Sequence, residues 1–205
     1  MFLSRSRRPV VMDEVIGQVL CESGSPLDFG TPDRVALLVH WSRSAKVSRS
    51  FRTMVRAFCD IGYQTVVVSA CEAPEPLDWG GGLPPGVLVL RKPNIGYDFG
   101  SWAVGLGLLP SIASAPYVIL ANDSVVGPFT DLAGVVANFE RTEGDVWGLT
   151  DTRQFFHHLQ SYFLGFRHGV LAERPLQEFW AGVREERNKW EIIKHNELAL
   201  STLFY

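Results

Sequence analysis

Residues 35–41 read Val-Ala-Leu-Leu-Val-His-Trp, five aliphatic side chains in a row before the first polar one. A strand with one wet face alternates apolar and polar residues, so an unbroken run of this length reads as a strand buried on both faces. Downstream the pattern recurs in residues 65–70 (TVVVSA), 87–92 (VLVLRK) and 117–125 (YVILANDSV). Between the first two runs lies a polar loop, residues 42–50, in which Ser48 or Ser50 is the candidate helix cap. Phe51, Met54, Val55 and Phe58 then recur at helical spacing until Gly62 stops the helix. A Pro/Gly-rich loop fills residues 72–86, and residues 93–109 (PNIGYDFGSWAVGLGLL) read as a loop entering a helix.

Residues 131–139 are expected to be helical, residues 145–151 (DVWGLTD) and 159–166 (LQSYFLGF) to be strands, and residues from about 176 to 190 to form one further helix. The last ten residues begin helix-like. Strands alternating with helices predict an α/β fold, a three-layer α/β/α sandwich around a mostly parallel sheet. Residues 1–32 read as a tail with one weak helix near residues 13–20, and residues 33–205 as a single domain.

Composition excludes several classes. Of 205 residues, 46% are hydrophobic and 20% charged, which is globular rather than disordered. The net charge of −3 gives no general drive toward nucleic acid, so no nucleic-acid partner is expected. Cys21, Cys59 and Cys71 include no CxxC pair and read as buried free thiols, which fits a reducing compartment. Asp13 and Glu14 interrupt the apolar run that a signal peptide needs, and no stretch is long and apolar enough to span a bilayer. The expected location is cytoplasmic, with Arg5, Arg7 and Arg8 as a candidate peripheral contact with the inner face of the membrane.

Parallel sheets bind ligands beyond the carboxyl ends of their strands. Trp41, Ser69, Asn94 and Asn122-Asp123 all fall at or just after such ends. Asn-Asp-Ser after a strand is ordinary turn chemistry, but it also places an amide and a carboxylate where a hard cation and a diphosphate meet. In residues 94–102 (NIGYDFGSW), Gly96 and Gly100 are read as allowing close approach of a ligand, and Asp98 as a partner for sugar hydroxyls or as a helix cap. No GxGxxG fingerprint or Walker A lysine is present. Among residues 157–162 (HHLQSY), one histidine is expected to face the cleft, with Gln160 and Tyr162 sharing a face. Ser161 lacks a nucleophile elbow. Asp151 and Glu197 are the candidate bases, and Arg91, Lys92, Lys194 and His195 the candidate countercharges for a diphosphate. Residues 184–189 read as a solvated charged face, and Trp147 and Trp180 as core.

The segments VALLVHW, RKPNIGYDFGSW, YVILANDSVVGPF, DVWGLTD, HLQSYFLGF and NELALS, in that order, resemble the rhamnan synthesis protein F family of glycosyltransferases. The resemblance implies a GT-A-like, Rossmann-like domain that transfers L-rhamnose from a nucleotide sugar, dTDP-L-rhamnose being the expected donor. The acceptor it implies is a cell-surface glycan or lipid-linked glycan, glycosylated with inversion. It places Asn122-Asp123 where GT-A enzymes keep a DxD element, so Asp123 becomes the candidate ligand of Mg²⁺ or Mn²⁺, with Asn in place of the first acid. It makes Asn122, Asp123 and Asp98 donor-binding candidates and Glu197 the base, and the reading of strand ends and faces adds Trp41, Ser69, Asn94 and Gly96 on the donor side, Asp151 as substitute base, and His158, Gln160 and Tyr162 as acceptor contacts. The family pattern is expected to continue beyond Glu197. A chain ending at Tyr205 therefore carries an alternative, a non-catalytic module that holds a nucleotide sugar or a partner. A nucleotide-sugar hydrolase is the weaker third reading.

Overall fold

A computed structural model describes residues 8–204. The chain opens with a short helix α1 (Val11–Val15) and strand β1 (Leu20–Ser23), then enters β2 (Arg34–His40). Helix α2 (Arg49–Asp60), β3 (Gln64–Ser69), β4 (Leu88–Arg91), α3 (Tyr97–Leu108) and β5 (Tyr117–Asn122) follow. The second half holds α4 (Ala133–Arg141), β6 (Val146–Gly148), a hairpin of β7 (Asp151–Thr152) and β8 (His158–Leu159), β9 (Phe163–Arg167) and α5 (Arg174–Ala181). It closes with α6 (Lys189–Ile192), a π-helical turn (Ile193–Glu197) and α7 (Leu198–Ser201).

The fold is mixed α/β around one seven-stranded sheet of order β1-β4-β3-β2-β5-β9-β6. The inner strands β4, β3, β2 and β5 are mutually parallel, and β1 and β9 run against them. Alternate residues of β2 point to opposite faces, as the two-residue period of a strand requires. Val35, Leu37 and Val39 pack under α1, α3 and α5, whereas Ala36 and Leu38 pack against α2 and α4. Helices on both faces explain why β2 carries no polar alternation. Burying it on one face only would leave aliphatic side chains in water.

The chain leaves β2 toward β3 and β4 on one side, then crosses back to β5 on the other. The chain thus runs on from β2 toward β3 and from β5 toward β9, in opposite directions along the sheet. The adjacent carboxyl ends of β2 and β5 form a topological switch point, the place where such sheets hold ligands. Val39 is paired with Asn122, which sets His40 and Trp41 opposite Asp123.

Four sequence expectations need amending. From Arg8 onward the presumed tail is integral: β1 extends the sheet beside β4, and Val11 and Val15 are fully buried against α3. Their short apolar segments have no strong period of their own, and only docking makes them structure. Arg5 and Arg7, candidate membrane contacts, lie outside the described residues.

The helix expected over residues 176–190 stops at Gly182. Beyond it the Val11 N–H donates to the Val183 carbonyl and the Glu185 N–H to the Pro9 carbonyl, so an extended strap replaces the helix. The strand expected over residues 159–166 is split by a turn at Ser161-Tyr162. Among the cysteines, Cys71 is buried and Cys59 partly so, but Cys21 is exposed on the edge strand β1. No helix among the described residues is long and apolar enough to cross a membrane.

Candidate functional site

A cleft of about 870 Å³ opens at the carboxyl ends of β2 and β5. Its floor is a chain of hydrogen bonds. Asn122 Nδ2 donates to Asp98 Oδ2 at 2.8 Å, and Asn122 Oδ1 accepts from the Ser124 N–H at 3.2 Å. The next residue, Asp123, accepts the Trp41 N–H on Oδ2 at 2.8 Å. Asn122 thus spends its amide inside the protein, closing the turn after β5 and holding Asp98. The turn reading of Asn-Asp-Ser holds for Asn122, while the Asp123 carboxylate faces the cleft.

Burial raises the proton affinity of both acids. Burial pushes Asp123 up to about 6, against the Trp41 hydrogen bond and with help from the nearby Asp98 charge. Asp98 is also raised by burial, offset in part by the Asn122 hydrogen bond and by Lys189 and Lys92. Two desolvated carboxylates in one cleft favour a ligand that brings cationic charge or hydroxyl donors.

Trp41 and Asn94 lie on the same rim. The Trp41 indole N–H and the Asn94 amide both donate to Glu72 Oε1, at 3.2 and 3.0 Å. Trp41 is pinned from its backbone and from its ring, yet it remains about half exposed. Ser69, expected to touch a donor, is fully buried behind the cleft, its hydroxyl 2.9 Å from His40 Nδ1. The residue it supports, His40, lines the cleft, and burial lowers it to about 4, so it is neutral near pH 7. His40 was visible as the polar end of an apolar strand, but nothing in its neighbours marked it out.

Gly96 lines the cleft with φ of 84°, but the reason for a glycine there is packing. A Cβ on Gly96 would meet Val11 Cγ2 at 2.5 Å, and one on Gly100 would meet the Ile95 carbonyl oxygen at 2.8 Å. The glycines admit α1 and the preceding loop; Gly100 does not line the cleft, whereas Gly96 meets both this packing and the cleft. Tyr97, half exposed on the rim, has φ of 52°, a sparsely populated conformation for a residue with a side chain.

The opposite wall carries Glu197, at the end of the π-helical turn, an irregularity common at functional sites. Glu197 Oε2 accepts from both the Ser161 N–H, at 2.9 Å, and the Ser161 hydroxyl, at 2.5 Å. His158 Nε2 stands 3.6 Å from Oε1. The other His158 nitrogen, Nδ1, lies 2.9 Å from the Phe156 carbonyl, which can only accept, so Nδ1 carries a proton. His158 is buried behind Glu197 and does not line the cleft, whereas Gln160, Ser161 and Tyr162 do. Thr150 joins the outer two, its hydroxyl 2.7 Å from Gln160 Oε1 and 2.9 Å from the Tyr162 hydroxyl.

Asp151 lies outside the cleft. It is exposed and pairs with His157 Nε2 at 2.5 Å, which holds its carboxyl below the usual range. Arg91 and Lys92 are also committed elsewhere. Arg91 binds Glu22 and the carbonyls of Cys71, Ala73 and Glu75, and Lys92 Nζ donates to the Pro93 and Ile95 carbonyls. Lys194 is exposed and His195 pairs with Glu186 at 3.0 Å, and neither lines the cleft. The lining cations are Arg43, Arg187 and Lys189.

The last two belong to the segment read as a solvated face. It is a cleft wall instead, because the buried Glu186 pairs with Arg8, which also binds Glu191 at 2.6 Å. No cluster of three or more His, Cys, Asp or Glu suited to a metal ion occurs among the described residues.

Residues 87–205, a stretch that holds β4 and everything after it, match the model of the rhamnan synthesis protein F family. The chain belongs to the rhamnan synthesis protein F family. The matched stretch of this family member contains Asp98, Asn122-Asp123, the residues 158–162 and Glu197, whereas Trp41 and Ser69 precede it. The chain is also 36% identical over 120 residues to the virulence protein VirA of Vibrio anguillarum, covering 56% of this chain and 38% of the relative. It is 28% identical over 122 residues to the uncharacterized protein y4gN of Sinorhizobium fredii, covering 57% of this chain and 32% of that protein. The matches to these curated relatives thus span well under half of their length.

Proposed function

We propose that this chain is a GT-A-like, inverting glycosyltransferase domain acting in rhamnan synthesis, with the cleft as its donor and acceptor site. The donor is a nucleotide sugar, with dTDP-L-rhamnose the first choice, and the acceptor a glycan or lipid-linked glycan at the cytoplasmic face of the membrane. The observation that carries this reading is the placement of two desolvated carboxylates, Asp98 and Asp123, across one cleft from the hydrogen-bonded carboxylate of Glu197.

In this scheme Glu197 takes the proton of the acceptor hydroxyl. The acceptor oxygen forms a bond to the anomeric carbon as the bond to the diphosphate oxygen breaks, and the electron pair leaves on the diphosphate. One base suffices because inversion needs no covalent intermediate. Ser161 holds Oε2 through two hydrogen bonds, which leaves Oε1 as the basic atom. Arg43, Arg187 and Lys189 supply fixed countercharge for the leaving group, the task first expected of Arg91 and Lys92.

Asp123, with Asp98 beside it, fits a hard divalent ion such as Mg²⁺ or Mn²⁺ whose remaining positions are filled by substrate phosphate oxygens and water. When bound, the ion would neutralise diphosphate charge. The Asn122 amide is tied to Asp98 and to the Ser124 N–H, so this reading assigns the protein's share of the ligands to the carboxylates.

Calorimetric titration with dTDP, UDP and GDP, each with Mg²⁺, Mn²⁺ or EDTA, tests the reading on wild type and Asp123→Asn. One nucleotide should bind selectively and should weaken both in EDTA and in the variant. If none binds the folded protein, the donor site is wrong. Binding without any acceptor-dependent turnover would favour the non-catalytic alternative.

A further inference from the structure

His40 ends β2 on the face that carries Ala36 and Leu38, where the strand period calls for one more aliphatic side chain. An imidazole there, only 4% exposed, is costly unless its polar atoms are used. The parallel register pairs His40 with Ser69, and His40 Nδ1 lies 2.9 Å from the Ser69 hydroxyl. That hydroxyl oxygen accepts the Cys71 N–H at 3.3 Å, and among the described residues its own proton has His40 Nδ1 as its one acceptor. Nδ1 therefore accepts, and in the neutral ring the proton sits on Nε2. Burial keeps the ring neutral. Arg91, the charge that acts on it, is itself tied to Glu22 and to carbonyls.

The ring is held from a second side. It stacks on Phe51 of α2, with centroids 5.1 Å apart and planes at 29°, and Phe51 is buried and packed on Trp79. With one face and Nδ1 committed, Nε2 is the free edge. It has no hydrogen-bond partner among the described residues, yet it is not one of the polar atoms shut away from solvent. His40 lines the cleft, so that edge opens there.

We propose that His40 is a specificity-determining donor of the cleft, its Nε2–H aimed by Ser69 at a carbonyl oxygen of the nucleotide's base. This deepens the donor-site reading and rests on it. A neutral donor suits an uncharged acceptor, and the cations suited to phosphate act elsewhere. Lys189 acts on Asp98, and neither it nor Arg43 or Arg187 acts on His40. The next residue, Trp41, gives a base a planar neighbour. It is half exposed and lines the cleft, its ring is pinned by Glu72, and the Arg43 guanidinium lies 6.0 Å from the ring centre. Ser69 is then a positioning residue, which accounts for a fully buried hydroxyl that does not reach the cleft. A donor fixed in a dry site needs no reorganisation when the ligand arrives.

Two measurements test this. In the first, dTDP, UDP and GDP are titrated calorimetrically into wild type, His40→Phe and His40→Gln. Phenylalanine keeps a ring on Phe51 without the donor, and glutamine carries an amide N–H to about the place of Nε2. The nucleotide that binds wild type should weaken about tenfold in His40→Phe and recover in His40→Gln. Equal affinity in wild type and His40→Phe overturns the proposal and leaves the donor site standing. Absence of nucleotide binding to wild type removes both. The second measurement, imidazole proton–nitrogen NMR of wild type, does not depend on how a variant folds. Nε2 should be the protonated nitrogen at neutral pH, and its signal should move with thymidine, uridine or guanosine but not with pyrophosphate. A proton on Nδ1, or a signal that the nucleosides leave unmoved, overturns the proposal. A shift with pyrophosphate alone overturns it in favour of a phosphate contact.

Discussion

Asp123 and Asp151 are the same chemical group in the same kind of sequence setting, each a carboxylate following an apolar strand-like run. The structure gives them opposite environments. Asp123 sits at the switch point between β2 and β5, where burial lifts it to about 6. Asp151 stands on an exposed hairpin, where His157 lowers it. A carboxylate at a strand end is thus a functional candidate only when that strand is an inner member of the sheet. Inner strands end against other elements that exclude water, whereas the β7–β8 hairpin lies outside the main sheet.

The contrast can be broken or sharpened by mutation, and the largest effect should come from the base assignment. With donor and acceptor in hand, Glu197→Gln should lower kcat by about 10²–10⁴-fold, the range a general base supplies, while Asp151→Asn leaves kcat unchanged. An Asp151→Asn enzyme as impaired as Glu197→Gln would reverse the roles given to the two walls.

Next in size is the clamp on Asp98. Asn122→Ala removes the hydrogen bond to a buried carboxylate and should cost about 1–3 kcal/mol in urea denaturation. His157→Gln, acting on the exposed pair, should leave the midpoint where it is.

A smaller effect is the sign of the pH dependence. An unfolded aspartate titrates near 3.9, whereas folded Asp123 holds its proton to about 6. Between those values the folded state binds more protons, so this residue's contribution to stability falls as pH rises from about 4 to about 6 and is level above. Wild type should lose stability relative to Asp123→Asn as pH rises over that window. Asp151, lowered by His157, has the opposite sign, and its contribution is lost as pH falls through its depressed value. Parallel slopes for the two variants in urea titrations would show that their environments do not differ. Nucleotide binding that uses the Asp123 carboxylate should strengthen as pH rises through about 6.

Much of the fold was legible because local pattern and burial agree in the inner strands. VALLVHW, TVVVSA and VLVLRK mark β2, β3 and β4, and the Phe51, Met54, Val55 and Phe58 stripe marks α2, whose cap is Ser48 of the two serines offered. Part of the candidate site was legible on the same ground: Asn122-Asp123 close β5, Asp98 lies in the first turn of α3, and all three line the cleft. What the pattern missed was built from weakly patterned pieces. β1 is largely exposed, the strap after Gly182 looks like a charged helix, and Glu186 reads as solvated until Arg8, nearly the whole chain away, buries against it.

By itself, then, the amino-acid sequence determined the layered α/β sandwich and which strand ends carry polar groups, since a two-residue or 3.6-residue period needs only near neighbours to be read. Tertiary structure decided the rest. It turned Gly96 and Gly100 into packing sites for Val11, withdrew Arg91 and Lys92 into internal hydrogen bonds, set His158 behind Glu197 and left Asp151 in water. The reason is physical: a side chain's charge, partner and exposure depend on groups brought near by folding, and the chain's own periodicity says nothing about which distant groups those will be.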